Sequence, residues 1–133
     1  MCFVENIGNI DSNFEVLQRV LALSETTLDA LENIHKRTQK GKFSFQCTVN
    51  LFSDVVESFY KMENALKPFM PDFRGTELKK LTAEVVDAIK VMATAYEGRK
   101  DARPLEILQF NLLPRYRKWK EELEKALRHY SVS

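Results

Sequence analysis

The chain has 133 residues, with 20 basic and 19 acidic side chains, a formal net charge of +1 and 44% hydrophobic residues. A chain of this length suits one domain that buries roughly two-thirds of its unfolded surface, so it needs neither a disulfide framework nor a structural metal to fold. The balanced charge supplies no global field toward nucleic acid or an anionic membrane, and the apolar runs fall far short of the roughly 20 residues a bilayer span needs.

Met1-Cys2 opens without the basic and apolar leader of a secretory or lipoprotein signal, which predicts a cytoplasmic location. Cys2 and Cys47 form no CxxC pair and read as free thiols. Residues 1–11 carry Phe3, Val4, Ile7 and Ile10 around Gly8, a pattern too irregular for a helix, and are expected as an irregular arm packed on the domain. Ser12 followed by Glu15 is a capping box, so the first helix is expected over about 12–39. Its inner stripe is Leu17, Leu21, Ser24, Leu28, Leu31 and His35, at alternating spacings of four and three. Gly41 marks its end.

Ser44 caps a second helix over about 44–67, with Phe45, Thr48, Phe52, Val55, Phe59, Met62 and Leu66 on one face. Pro68 and Pro71 end it, because the residue before a proline is biased away from the helical region. Thr76 caps a third helix over about 76–97, whose stripe is Leu78, Leu81, Val85, Ile89, Met92 and Tyr96. A charged link leads into the last segment, 104–130. There the stripe of Leu105, Leu108, Leu112, Tyr116, Trp119, Leu123, Ala126 and Tyr130 runs through Pro114 without losing phase, which predicts one helix bent near 110–113. Four helices with short links predict an all-α single domain, an antiparallel four-helix bundle whose last helix is kinked at Pro114.

Chemistry is harder to find. Glu32 and His35 stand three apart, the spacing that lets both reach one metal in di-iron bundles. The second such pair is missing, since Ala126 precedes the only other histidine, His129, by three residues. Neither a glycine-rich phosphate loop nor a nucleophile elbow occurs. The expectation is therefore no enzyme, no cofactor and no metal, with a metal or enzymatic bundle centred on Glu32 and His35 as the alternative.

Charge is distributed regionally. Up to His35 six carboxylates face Arg19 alone, whereas Lys36, Arg37, Lys40 and Lys42 follow at once. In an up-down bundle that cluster shares an end with Arg99, Lys100 and Arg103, giving a basic surface for an acidic partner. Phe69, Met70 and Phe73 between the prolines are the second candidate surface, as an exposed apolar patch. Trp119 with Tyr116 and Tyr130 reads as core.

The run Leu112-Leu113-Pro114-Arg115-Tyr116-Arg117-Lys118-Trp119-Lys120-Glu121-Glu122-Leu123, after an apolar helix with short turns, resembles an uncharacterised family of small helical-bundle proteins from Gram-positive bacteria. That resemblance implies a helical bundle and carries no activity. The overall layout is also similar to flagellar export chaperones of the flagellin-binding type, which clasp a partner's helices. The expected function is a non-enzymatic protein-protein interaction module, adaptor or chaperone-like, with a homo-oligomeric structural subunit as a further alternative. No nucleic acid and no membrane is expected among its partners.

Overall fold

The computed structural model describes residues 2–39, 45–73, 76–98 and 102–132, with side chains described over 13–36, 48–73, 76–98, 104 and 106–128. All secondary structure among them is helical: α1 (Cys2–Gln39), α2 (Phe45–Leu66), a 3-10 helix (Lys67–Phe73), α3 (Leu78–Glu97), α4 (Ala102–Ile107), a π-helical turn (Leu108–Leu112) and α5 (Leu113–Val132).

α1 differs from the sequence expectation at its start. Instead of an irregular arm over 1–11 and a cap at Ser12, helical backbone runs unbroken from Cys2. Asp and Ser cost less than about 1 kcal/mol each in a helix interior, and no proline stands in this stretch to interrupt it. The apolar positions 3, 7, 10, 14, 17 and 21 also keep one phase, so the period outweighs the local start signal at Ser12.

The link after α2 is more ordered than two prolines suggested. Lys67–Phe73 winds as a 3-10 helix with Pro71 inside it, and it buries Phe69 and Phe73 with their rings stacked at 6.4 Å. α3 begins at Leu78 with Glu77 as its N-cap, one residue past the cap expected at Thr76. The Thr76 hydroxyl donates to the Phe73 carbonyl at 2.6 Å and accepts the Leu78 N–H at 3.4 Å. A second cap comes from far away in sequence: the Glu77 N–H donates to Glu122 Oε1 at 3.2 Å, setting an anion at the positive end of α3. Gly98 closes α3 with right-handed backbone, its N–H reaching the Thr94 carbonyl at 3.1 Å.

The last segment is helical throughout, with its winding relaxed before Pro114. The Leu113 N–H bonds to the carbonyl of Leu108, five residues back. Buried Pro104, Leu108, Leu112 and Tyr116 follow at three successive spacings of four. Three turns therefore take twelve residues, more than an α-helix at about 3.6 per turn supplies, and the π turn absorbs the surplus. Pro114 follows at the second residue of α5 and has no N–H to carry that ladder on.

α5 lies at the centre of the packing. It sits against α1 and α3, while α1 also covers α2, and α2 and α3 touch only sparingly. Trp119, Tyr116 and Phe59 are almost wholly buried and form one aromatic cluster, with Trp119 5.0 Å from Phe59 and 5.3 Å from Tyr116 between ring centroids. Each polar tip within it is satisfied. The Trp119 indole N–H donates to Thr82 Oγ1 at 3.0 Å, and the Tyr116 hydroxyl donates to the Ser24 carbonyl at 2.7 Å. Two residues of one helix thus fasten α5 to α3 and to α1. Trp119 and Tyr116 are core, as their spacing predicted.

Candidate functional site

Where α2 and α3 diverge, they leave an open groove of about 790 Å³, closed at one end by the 3-10 helix. α2 contributes Glu63 and Leu66, and the 3-10 helix contributes Lys67, Met70, Pro71 and Phe73. From α3 come Lys79, Ala83, Val86 and Lys90, spaced four, three and four, with Thr82 and Asp87 beside them. That spacing is one helical face, and it lies away from the face that α3 buries against α5. α3 is therefore lined on two sides, by core on one and by this trough on the other.

The trough is apolar on its floor and charged on its rim. Phe73 is buried and Met70 half-buried, so together with Leu66 and Val86 they form a floor that solvent reaches only from outside. Lys67, Lys79 and Lys90 stand exposed around it. One rim group is irregular in its bonding. Glu63 Oε2 is shielded from solvent and finds no hydrogen-bond partner among the described residues. A buried acceptor without a donor costs about 1–3 kcal/mol.

The residues singled out from sequence fare differently. Phe69 and Phe73 do not form an exposed patch: they are 6% and 4% exposed and seal the end of the core, with their rings stacked on one another. Met70 and Phe73 nevertheless reach the groove from beneath. Lys36 is exposed at the end of α1. Lys40, Lys42, Arg99 and Lys100, and the side chains of Arg37 and Arg103, lie outside the described residues. Glu32 accepts from Arg117 Nη2 at 3.2 Å, an ion pair between α1 and α5. His35 is half-buried on the same helix, and among the described residues no three His, Cys, Asp or Glu side chains gather closely enough to hold a metal ion.

Groove residues Glu63, Lys67, Lys79, Ala83 and Lys90 escaped the sequence reading. The signal for them is a second stripe on α3 in which small and charged residues replace large apolar ones, and such a stripe looks like an ordinary solvated face until α2 is seen to stand off from it. The two tyrosines with shifted acidity belong elsewhere. Burial raises the Tyr116 phenol well above its usual value, with the Thr27 hydroxyl acting the other way, and burial likewise raises Tyr96 against a hydrogen bond from Thr48.

A second hollow of about 350 Å³ lies between Phe14, Leu17 and Leu21 of α1 and Glu124, Leu127 and Arg128 of α5. It is less than half the size of the groove. No helix among the described residues is long and apolar enough to cross a membrane.

No curated protein and no solved structure matches the chain. A family model described as a domain of unknown function (DUF8042) matches residues 15–122, from the early turns of α1 into α5. The match spans most of the chain, including the groove and the aromatic cluster, and the chain belongs to that family.

Proposed function

We propose that this chain is a non-enzymatic interaction protein, an adaptor or chaperone-like bundle of the bacterial cytoplasm, that binds another protein in the groove between α2 and α3. The observation that carries this reading is the groove itself: an apolar floor with a charged rim, on a helix pair that the rest of the fold leaves apart. Surface concavities of this size lined by apolar groups are the usual binding sites of proteins.

The scaffold behind it is an antiparallel four-helix bundle whose last helix bends ahead of Pro114. Glu32 with Arg117, Ser24 with Tyr116, and the hollow joining residues 14–21 to 124–128 support opposite courses for α1 and α5. The π turn at Leu108–Leu112 supports the bend, since such turns are a recognised cause of kinks. A Gram-positive source accords with the resemblance carried by residues 112–123.

Site-specific photo-crosslinking in the source cell tests the reading. A photoreactive residue at Ala83, on the groove floor, is expected to trap a discrete partner, whereas one at Lys61, on the exposed side of α2 beside Glu57, is expected to trap none. Equal labelling from both positions, or none from Ala83, overturns it.

A further inference from the structure

The π turn at Leu108–Leu112 interrupts the regular winding of the last segment, and two features of the sequence act on it in opposite directions. Pro114 favours the turn. In plain α winding its ring would press on the carbonyl of Phe110, four residues back, and that carbonyl would lose its donor. The bond from the Leu113 N–H to the Leu108 carbonyl widens the helix directly before that ring.

Leu105 opposes it. Counted back from buried Leu112 at about 100° per residue, uninterrupted α winding brings position 105 to within about 20° of the inward direction. Position 104 would then lie about 80° away from that direction. The π turn reverses this order, because Pro104 is buried in line with Leu108 and Leu112. A plain helix would thus bury a leucine where the π turn buries a proline. The surplus residue is carried on the outer side of the turn, where Gln109 and Phe110 are exposed, the latter by 74%, so no buried side chain holds it in place.

We propose that residues 102–112 have two helical registers one residue apart, a π register with Pro104 inward and a plain α register with Leu105 inward, and that Pro114 selects the first. The proposal stands apart from the reading of the groove. Passing from one register to the other turns α4 by about 80–100° on its axis while Leu112, Tyr116 and Trp119 keep their places. Since α4 packs on α3, the rotation exchanges the side chains that these two helices set against each other. Helix shifts between two discrete packings are an established means of switching.

Ile107 reports the register. It is half-buried beside the π turn, and in the plain helix it would lie about 140° from the inward direction, facing solvent. The test follows Ile107→Cys in the full chain, with Cys2→Ala and Cys47→Ala removing the native thiols, by labelling with a charged maleimide under native conditions. Pro114→Ala is expected to speed labelling at 107 roughly tenfold or more, since a register of minor population becomes the major one. Glu106→Cys, exposed in both registers, should label at the same rate with and without Pro114→Ala. Deleting Gln109 in the Pro114→Ala chain brings Leu108 and Leu112 to a spacing of three. That chain fits plain α winding with Pro104 inward, so labelling at 107 should fall back to the parent rate.

An unchanged rate at 107 in Pro114→Ala overturns the proposal, because packing and not the proline would then set the register. Fast labelling in both Pro114→Ala and the deletion chain overturns it as well, since the segment would have loosened in place of turning. A deletion chain that fails to fold by circular dichroism has the same force, as it shows that no residue is surplus. Pro114 is half-buried and alanine suits a helix interior, so Pro114→Ala itself should fold, and its failure to do so would show that the plain register is closed to this chain.

Discussion

α3 has two worked faces, and they contrast sharply. Toward α5 it presents Leu78, Leu81, Val85, Ala88, Ile89 and Met92, all buried, and closes the contact with the bond from Trp119 to Thr82. Toward α2 it presents Lys79, Ala83, Val86 and Lys90, and the contact stays open. Side-chain size and charge account for the difference. Large apolar residues gain roughly 1.5–3 kcal/mol each from burial and draw helices together, whereas a lysine–alanine–valine–lysine face gains little and keeps its ammonium groups in water. One helix thus holds the bundle with one side and leaves a trough with the other.

Breaking the closed face should have the largest effect. Trp119 is wholly buried, and Trp119→Ala removes the ring that touches both Phe59 and Tyr116. A loss of about 3–5 kcal/mol in unfolding free energy is expected, measured by urea denaturation. Trp119→Phe, which keeps much of the volume, should lose distinctly less. A loss below about 1 kcal/mol for the alanine variant would mean that α3 and α5 are held by something other than this cluster.

Tyr116→Phe removes only a hydroxyl and its 2.7 Å bond to the Ser24 carbonyl, with an expected cost of about 0.5–1.5 kcal/mol at neutral pH. Its pH dependence is more informative. Burial raises the phenol above the ordinary tyrosine value of 10.0, so the folded chain favours the neutral form. The resulting stabilisation is fully present below pH 10 and is lost as pH rises through the folded value, because the unfolded chain ionises first. Tyr96 shifts in the same direction, so stability should fall above pH 10 in both proteins, and less steeply in Tyr116→Phe. Parallel curves would show that the Tyr116 hydroxyl is solvated in solution.

At the rim of the same face, Glu122→Gln replaces the carboxylate that caps the start of α3 with a neutral group of the same shape. The site is exposed, so after screening the expected loss is about 0.5 kcal/mol, and added salt should shrink it in the parent chain. A salt-independent difference would point to packing in place of the helix dipole.

Much of the closed face was legible in the sequence, and little of the open one was. Strong three-four stripes of large apolar residues announce the helices and their inner sides, and Trp119, Tyr116 and Phe59 stand on them. The start of α3 was readable to within a residue because the bonds of Thr76 are local, although Glu77 takes the N-cap position. The helical course of residues 2–11 was obscured by Gly8 and the Asp11-Ser12 start signal, although the apolar phase ran through both. The π turn had a trace in the wide spacing of 104, 108, 112 and 116, but Leu105 offers a competing register that hides it. Phe69 and Phe73 looked exposed because prolines suggest loops, and their burial depends on how the 3-10 helix packs on the core, which no local pattern contains. The groove needs a fact about two helices at once, that α2 stands away from Lys79, Ala83 and Val86, and no single segment contains it.

The open face should respond in the opposite way to the closed one. Ala83 is exposed on the groove floor, so Ala83→Trp fills the trough without entering the core and should change stability by no more than about 0.5–1 kcal/mol, part of it helix propensity. Binding in the groove should nevertheless disappear, because an indole there occupies the space an incoming side chain needs. If the variant instead unfolded readily, α2 and α3 would have to close upon one another in solution, and the contrast between the two faces would vanish. If it remained stable and still bound its partner, the trough would be an incidental gap, and the interaction surface would have to be sought on the far side of the bundle, at the smaller hollow beside Phe14 and Leu127.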